Sequence, residues 1–268
     1  MPVFEDSTQD GDVYAEERQQ AIAGEVRARG RVAVTELAER FDVTGETVRR
    51  DLASLAQQGL LVRVHGGAVR PDVAAIGAEP DLQEREQSML AEKTAIGAAA
   101  QAFLPPAGGS VLFDAGTTTL RAALALDPDR DLAVVTNAIP LAAHLSTLPR
   151  CEVTFVGGRI RGKTQAAVGV ETVDAFRRLR VSVAFLGTNG LSRTHGLSTP
   201  DPDEAAAKRA MIAAADRVVL LVDSSKFNRE DLVSFGALSD VDALVTDPGL
   251  DDSLRAELQA LDIEVVIA

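Results

Sequence analysis

Five short segments carry the residues best suited to chemistry. The sharpest is Asp114-Ala115-Gly116-Thr117-Thr118-Thr119, which follows an apolar run and leads into a helical pattern. Gly116 lets the backbone turn closely behind a strand. Thr117, Thr118 and Thr119 offer hydroxyls and backbone N–H groups at a helix start, where an anion is stabilised. Such a loop fits a phosphate. No Gly-Lys-Ser/Thr follows it and Gly-x-Gly-x-x-Gly is missing, so neither a nucleoside triphosphate nor a dinucleotide cofactor is expected. The other segments are Thr136-Asn137-Ala138, Gly157-Gly158-Arg159, Gly187-Thr188-Asn189-Gly190 and Asp223-Ser224-Ser225-Lys226. Arg159 and Lys226 are cations for the anion, and Asp114, Asn137 and Asn189 are partners for hydroxyls. Small polar residues end strands for turn reasons in most proteins, and Lys226 by itself reads as a solvated lysine. Recurrence at five strand ends points instead to one site for a small phosphorylated ligand. Its candidates are Asp114, Gly116, Thr117, Thr118, Thr119, Thr136, Asn137, Gly157, Gly158, Arg159, Gly187, Asn189 and Lys226.

A second set of residues suits a polymer of phosphates. Leu37, Ala38 and Phe41 recur at i, i+1 and i+4, so a short helix buries one stripe before a turn at Asp42-Val43. Thr44 then caps a second helix, and Glu46 puts negative charge at the positive end of its dipole. Val48, Leu52 and Leu55 give that helix one apolar face, which leaves Thr47, Arg49 and Arg50 on its exposed first turns. In helix-turn-helix proteins those turns enter the major groove, where arginine binds guanine bidentately or pairs with phosphate. The run Leu60-Leu61-Val62-Arg63-Val64 alternates like a strand, and Gly66-Gly67 permits a tight return. Arg63 and His65 would sit on this wing, against the DNA backbone or minor groove. The candidate contacts to double-stranded DNA are therefore Thr44, Glu46, Thr47, Arg49, Arg50, Arg63 and His65.

The chain of 268 residues is long enough for two domains. Its formal charge of −13 is uneven: −4 over residues 1–13, +1 over 14–70 and −10 over the remainder. DNA responds to the local field, and acid elsewhere limits non-specific sticking. Residues 1–13 read as a disordered tail, 14–70 as the winged helix-turn-helix, 71–82 as a linker and 83–268 as the ligand-binding domain. In the last, apolar runs at Ser110 to Phe113, Leu132 to Val135, Glu152 to Val156, Val181 to Leu186, Arg217 to Val222, Ala243 to Thr246 and Glu264 to Ile267 alternate with helical stretches such as Gln83 to Leu104 and Pro202 to Ala215. That alternation predicts an α/β fold, a mainly parallel sheet covered on both faces. In such sheets ligands sit beyond the C-terminal strand ends, where the five segments lie.

Other classes of function find little support. Cys151 is the lone cysteine, and His65, His144 and His195 are too scattered for a metal cluster, so no disulfide, metal or cofactor is expected. The first residues lack the pattern of a signal peptide, and no apolar stretch approaches a membrane span, so the expected location is cytoplasmic with no membrane partner. An aldose–ketose isomerase tethered to a DNA-binding head is the competing reading. It needs a carboxylate to move a proton, and the available acids Asp114, Asp203, Glu204 and Asp223 sit in no recognisable catalytic motif. Glu204 and Lys208, at i and i+4, read as a surface salt bridge.

The motifs Thr47-Val48-Arg49-Arg50-Asp51-Leu52 and Arg63-Val64-His65-Gly66-Gly67-Ala68 resemble those of DeoR-type winged helix-turn-helix domains. One departure is Gly45, which costs helix stability where that family more often has a side chain. The five strand-end segments resemble the sensor domain of the same family, which is related in fold to ribose-5-phosphate isomerase and the acyl-CoA transferases. The resemblance covers residues 16 to 250. It implies a transcriptional repressor, not an enzyme, that responds to a sugar phosphate and binds operator DNA. One small head contacts too few bases for high specificity, so a homodimer or homotetramer is expected. The strings Gly157 to Thr164, Gly187 to Leu191 and Gly196 to Asp201 look most like actinobacterial fructose-operon repressors, which implies fructose 1-phosphate as effector.

Overall fold

In the computed structural model, which describes residues 9–29, 31–57, 60–64, 66–69 and 81–268, the chain divides into two units, Met1–Glu79 and Pro80–Ala268. The first runs α1 (Gln9–Arg29), β1 (Arg31–Ala33), α2 (Val34–Phe41), α3 (Gly45–Gln57), β2 (Val62–Val64) and β3 (Gly67–Val69). The three strands pair antiparallel in the order β1-β3-β2. Ile22 and Val26 of α1, Leu37 of α2 and Val48, Leu52 and Leu55 of α3 share one core with Leu61. The i, i+4, i+7 spacing of α3 is thus its buried face. Asp42 ends α2 in the left-handed conformation, with φ 49°, and Thr44 Oγ1 accepts the Thr47 N–H at 3.2 Å to start α3. Gly66 turns the wing with φ +81°. A Cβ on Gly67 would lie 2.1 Å from the carbonyl oxygen of Val32, so only glycine lets β3 approach β1.

Two expected boundaries move. Residues 1–8 of the expected tail lie outside the described residues, but α1 is already helical from Gln9. Residues 71–80 of the expected linker also lie outside them, and a helix begins at Leu82. Its cause is a capping box, in which the Glu84 N–H donates to Asp81 Oδ1 at 2.9 Å and the Asp81 N–H to Glu84 Oε2 at 3.3 Å.

The second unit begins with α4 (Leu82–Gln87), α5 (Leu90–Ala99), β4 (Ser110–Phe113), α6 (Thr117–Leu124), β5 (Leu132–Thr136), α7 (Ile139–Leu145) and β6 (Cys151–Phe155). A hairpin of β7 (Arg159–Arg161) and β8 (Ala166–Val168) follows, then α8 (Val170–Arg177), β9 (Val183–Leu186), β10 (Gly190–Ser192), β11 (Gly196–Thr199), α9 (Pro202–Ala214) and β12 (Val218–Leu221). After a 3-10 turn (Ser224–Lys226) come β13 (Val233–Gly236), β14 (Ala243–Thr246), α10 (Asp252–Ala260) and β15 (Glu264–Ile267). All seven runs expected as strands join one parallel sheet, ordered β15-β14-β12-β9-β4-β5-β6.

Alternation along these strands divides two cores. Val111, Phe113, Val183, Phe185, Val219 and Leu221 pack with Ile96 of α5, Ala122 of α6 and Leu141 of α7. Leu112, Ala184, Leu186, Leu220 and Leu244 pack with Phe176 of α8, Met211 of α9 and Leu254 of α10. Both faces are covered, which is why the runs are apolar throughout. The winding starts in the middle: β5 and β6 are laid down on one side of β4, and β9 and its successors on the other. Connections diverge at the β4–β9 boundary and leave a crevice there. Sequence patterning missed the hairpin β7–β8 and the small sheet β10-β11-β13, whose three- and four-residue strands read as loops. Among the described residues, no helix is long and apolar enough to cross a membrane.

Candidate functional site

Thr44, which caps α3, and Glu46, Arg49 and Arg50 on it are exposed and Thr47 is half-buried, so five of the seven expected DNA contacts cluster at its start. Arg49 Nη1 donates to Glu46 Oε2 at 3.2 Å, while the hydroxyls of Thr44 and Thr47 lie 2.9 Å apart. Arg63 falls on β2, but its side chain and the whole of His65 lie outside the described residues. One residue that positions this face escaped the sequence reading. Asp51 is buried and accepts Arg18 Nε at 2.6 Å, Arg18 Nη2 at 3.2 Å and Gln19 Nε2 at 2.9 Å. It fastens α3 to α1 across more than thirty residues of chain, a distance at which no spacing rule operates.

The β4–β9 crevice holds a cavity of about 250 Å³. Of the expected ligand residues, Gly116, Thr117, Thr118, Gly187, Asn189 and Lys226 line it, and Asp114 and Asn137 line a second space of about 10 Å³. Gly116 is extended, with φ −158°, so close approach and not a left-handed turn is its contribution. The remaining five line neither space. Thr119 Oγ1 donates to Asp114 O at 2.7 Å and Thr136 Oγ1 accepts the Ala138 N–H at 3.1 Å, both as turn supports. Gly157 accepts from Thr172 Oγ1, and a Cβ on Gly158 would lie 2.1 Å from that same hydroxyl oxygen, so this pair packs against α8. Arg159 is exposed and bonded to Asp203.

Several lining residues were not anticipated. Arg85 of α4 and Ser88 just after it, Lys93 of α5, Glu204 and Lys208 of α9, and Arg229 all face the cavity. Glu204 and Lys208 are not a surface pair. Both are buried and neither bonds the other. Lys208 Nζ donates to Asp114 Oδ2 and, at 2.9 Å, to Gly187 O. Glu204 accepts from Thr164 Oγ1 at 2.6 Å, Thr199 Oγ1 at 3.1 Å and Arg161 Nη1 at 3.3 Å. The i, i+4 rule assumes a solvated helix face, and α9 is packed against the sheet. Lys93 enters from the other face. Its Nζ donates to the carbonyls of Arg85 and Ser88, at 2.6 Å each, and stands 4.0 Å from Asp223 Oδ2. Those carbonyls lie where the expected continuous helix Gln83 to Leu104 breaks, at left-handed Met89 with φ 52°. Burial pushes the Lys93 ammonium down to about 8 against the pull of Asp223. Burial also lowers Lys226, again opposed by Asp223.

Five basic residues, Arg85, Lys93, Lys208, Lys226 and Arg229, line the cavity against three acids, Glu84, Glu204 and Asp223. With the N-terminus of α6 turned toward the same space, the field favours an anion. The carboxylate of Glu204 is occupied by three donors, and this arrangement suits binding more than proton transfer.

Residues 18–73 match the DeoR-like helix-turn-helix domain and residues 88–248 the DeoR C-terminal sensor domain. The uncharacterised HTH-type transcriptional regulator FruR of Bacillus subtilis (strain 168) is 36% identical, covering 86% of this chain and 90% of its own. The glycerol-3-phosphate regulon repressor of Escherichia coli (strain K12) is 34% identical, covering 86% and 90%. Among solved structures, ribose 5 phosphate isomerase A from Neisseria gonorrhoeae matches 51% of this chain and 53% of its own at 13% identity, with a TM-score of 0.37. The chain belongs to the DeoR family of transcriptional regulators and is not an enzyme.

Proposed function

We propose that this regulator represses a sugar-catabolic operon in the cytoplasm and releases its operator when a sugar phosphate, fructose 1-phosphate, fills the β4–β9 cavity. The observation that carries this reading is the cationic cavity at the N-terminus of α6, where Thr117 and Thr118 meet Lys226 and Arg229. The phosphate of the effector binds there. The strings Gly187 to Leu191 and Gly196 to Asp201 support the fructose ester. DNA is held by Arg49 and Arg50 of α3 and by the wing residues Arg63 and His65. One small head contacts few bases, so a homodimer or homotetramer on repeated half-sites supplies the specificity. The test is fluorescence anisotropy on an operator selected from random duplexes, titrated with fructose 1-phosphate, glycerol 3-phosphate and inorganic phosphate. Release by fructose 1-phosphate at the lowest concentration is expected. Release by glycerol 3-phosphate alone would reassign the effector, and no release by either ester would overturn the proposal.

A further inference from the structure

Behind the main cavity, the space of about 10 Å³ is bordered by Asp114 and Asn137, while Glu204 and Lys208 border both spaces. Its size admits one oxygen-sized group. The lining mixes apolar residues, Ala115, Ala166, Val168, Ala207 and Met211, with four polar ones whose bonding is incomplete. Asn137 is buried, and its Nδ2 donates to Ala167 O at 2.8 Å, which fixes the orientation of the amide. Its Oδ1 is then buried with no donor among the described residues. A buried acceptor left unmet is costly, so the space calls for a donor. Lys208 Nζ is engaged by Asp114, by Gly187 and by the face of the Phe235 ring at 5.2 Å, and Glu204 Oε2 accepts one bond where it has room for two. Unmet acceptors, Asn137 Oδ1 and Glu204 Oε2, therefore border room for a single atom. A neutral hydroxyl, which brings a donor without a charge, matches them. A phosphate oxygen would face two carboxylates, and a methyl group would satisfy nothing.

We infer that this compartment is a hydroxyl-reading subsite: one sugar hydroxyl of the effector enters it while the phosphate stays at α6 and Lys226. The inference rests on the sugar-phosphate reading above and adds how the protein tells a polyol phosphate from a bare phosphate.

Ala207 lines only the small space, so Ala207→Val fills it without reshaping the main cavity. Isothermal titration of full-length protein with fructose 1-phosphate and with inorganic phosphate is the test, with thermal melting as the control for folding. Wild type should bind the sugar ester far more tightly than inorganic phosphate. Ala207→Val should weaken the ester at least about tenfold, the loss of one hydrogen bond to a charged partner, and leave inorganic phosphate unaffected. Glu204→Gln, which keeps the shape and changes one acceptor to a donor, should also weaken the ester. If both variants bind fructose 1-phosphate as wild type does, the space holds only trapped water and the inference falls. If wild type binds inorganic phosphate but no sugar phosphate, the underlying proposal falls with it.

Discussion

Lys208 on α9 forms a buried ion pair with Asp114 at the end of β4, ninety-four residues earlier in the chain. The pair ties a helix on one face of the sheet to the edge of the cavity. Removing one partner strands the other charge, so Lys208→Met should cost about 3–5 kcal/mol of sensor stability in urea unfolding. Adding Asp114→Asn should cost less than the two single losses together. Additive losses would show that the pair is not coupled in solution.

Lys93 makes the cavity sensitive to pH. Burial lowers its folded value to about 8 from the ordinary 10.5. Between those values the unfolded chain binds more protons, so unfolding free energy should climb as pH rises from about 8 toward 10.5, while below that window the full penalty of burying the ammonium stays constant. An anion in the cavity favours the charged ammonium. Effector binding at pH 8 should therefore take up about half a proton, seen as a dependence of titration heat on buffer ionisation enthalpy. Affinity should fall as pH rises above 8. A buffer-independent heat would mean that the anion lies away from Lys93.

Arg50 is exposed on the first turns of α3, and Arg49 beside it is held by Glu46. Arg50→Ala should weaken operator binding by about 1–3 kcal/mol if it reads a base, or lower the salt slope by about one if it holds phosphate. Glu46→Ala should tighten binding at low salt, because it frees Arg49 and removes a negative charge facing DNA. Unchanged affinity and slope in both variants would move the DNA face elsewhere.

Gly45 opens α3, and a Cβ there would meet Val34 Cγ1 at an ordinary 3.5 Å. Gly45→Ala should therefore stabilise the head by up to about 1 kcal/mol, measured as a higher melting temperature. A lower one would reveal a backbone need for glycine.

Lys226 is half-buried beside Asp223 and has no part in the DNA-binding unit. Lys226→Ala should bind operator normally and resist release by fructose 1-phosphate, because the two affinities are linked only through the conformational equilibrium that the ligand biases. Release at the wild-type concentration would place the phosphate away from Lys226.

Local signals account for what the sequence made legible. Strand runs, the cap at Thr44 and the apolar stripe of α3 are set by neighbours within seven residues and are found where their spacing predicts, whereas the helical run Gln83 to Leu104 breaks at Met89. The cavity edge was half legible. Gly116, Thr117, Gly187 and Lys226 follow strand ends that meet in a parallel sheet, but which strands are adjacent depends on the order β9-β4-β5, which spacing does not encode. Arg159 shows the cost: it follows β6, three places from β9 in the sheet, and the side chain is captured by Asp203. Glu204 and Lys208 were misread because i, i+4 spacing describes a helix and not what packs against it. Arg85 was missed because nothing in the helical run Gln83 to Leu104 marks the break at Met89 that separates α4 from α5.

Helix α4 carries Glu84 and Arg85 to the cavity, yet none of its residues is buried and neither hydrophobic cluster of the sensor includes one. Its composition is therefore nearly free of the constraints that hold the rest of the domain. Over evolutionary time, substitutions in this helix can alter which anion is admitted while the sheet and its two cores stay as they are, so ligand preference in such a protein can diverge faster than its architecture.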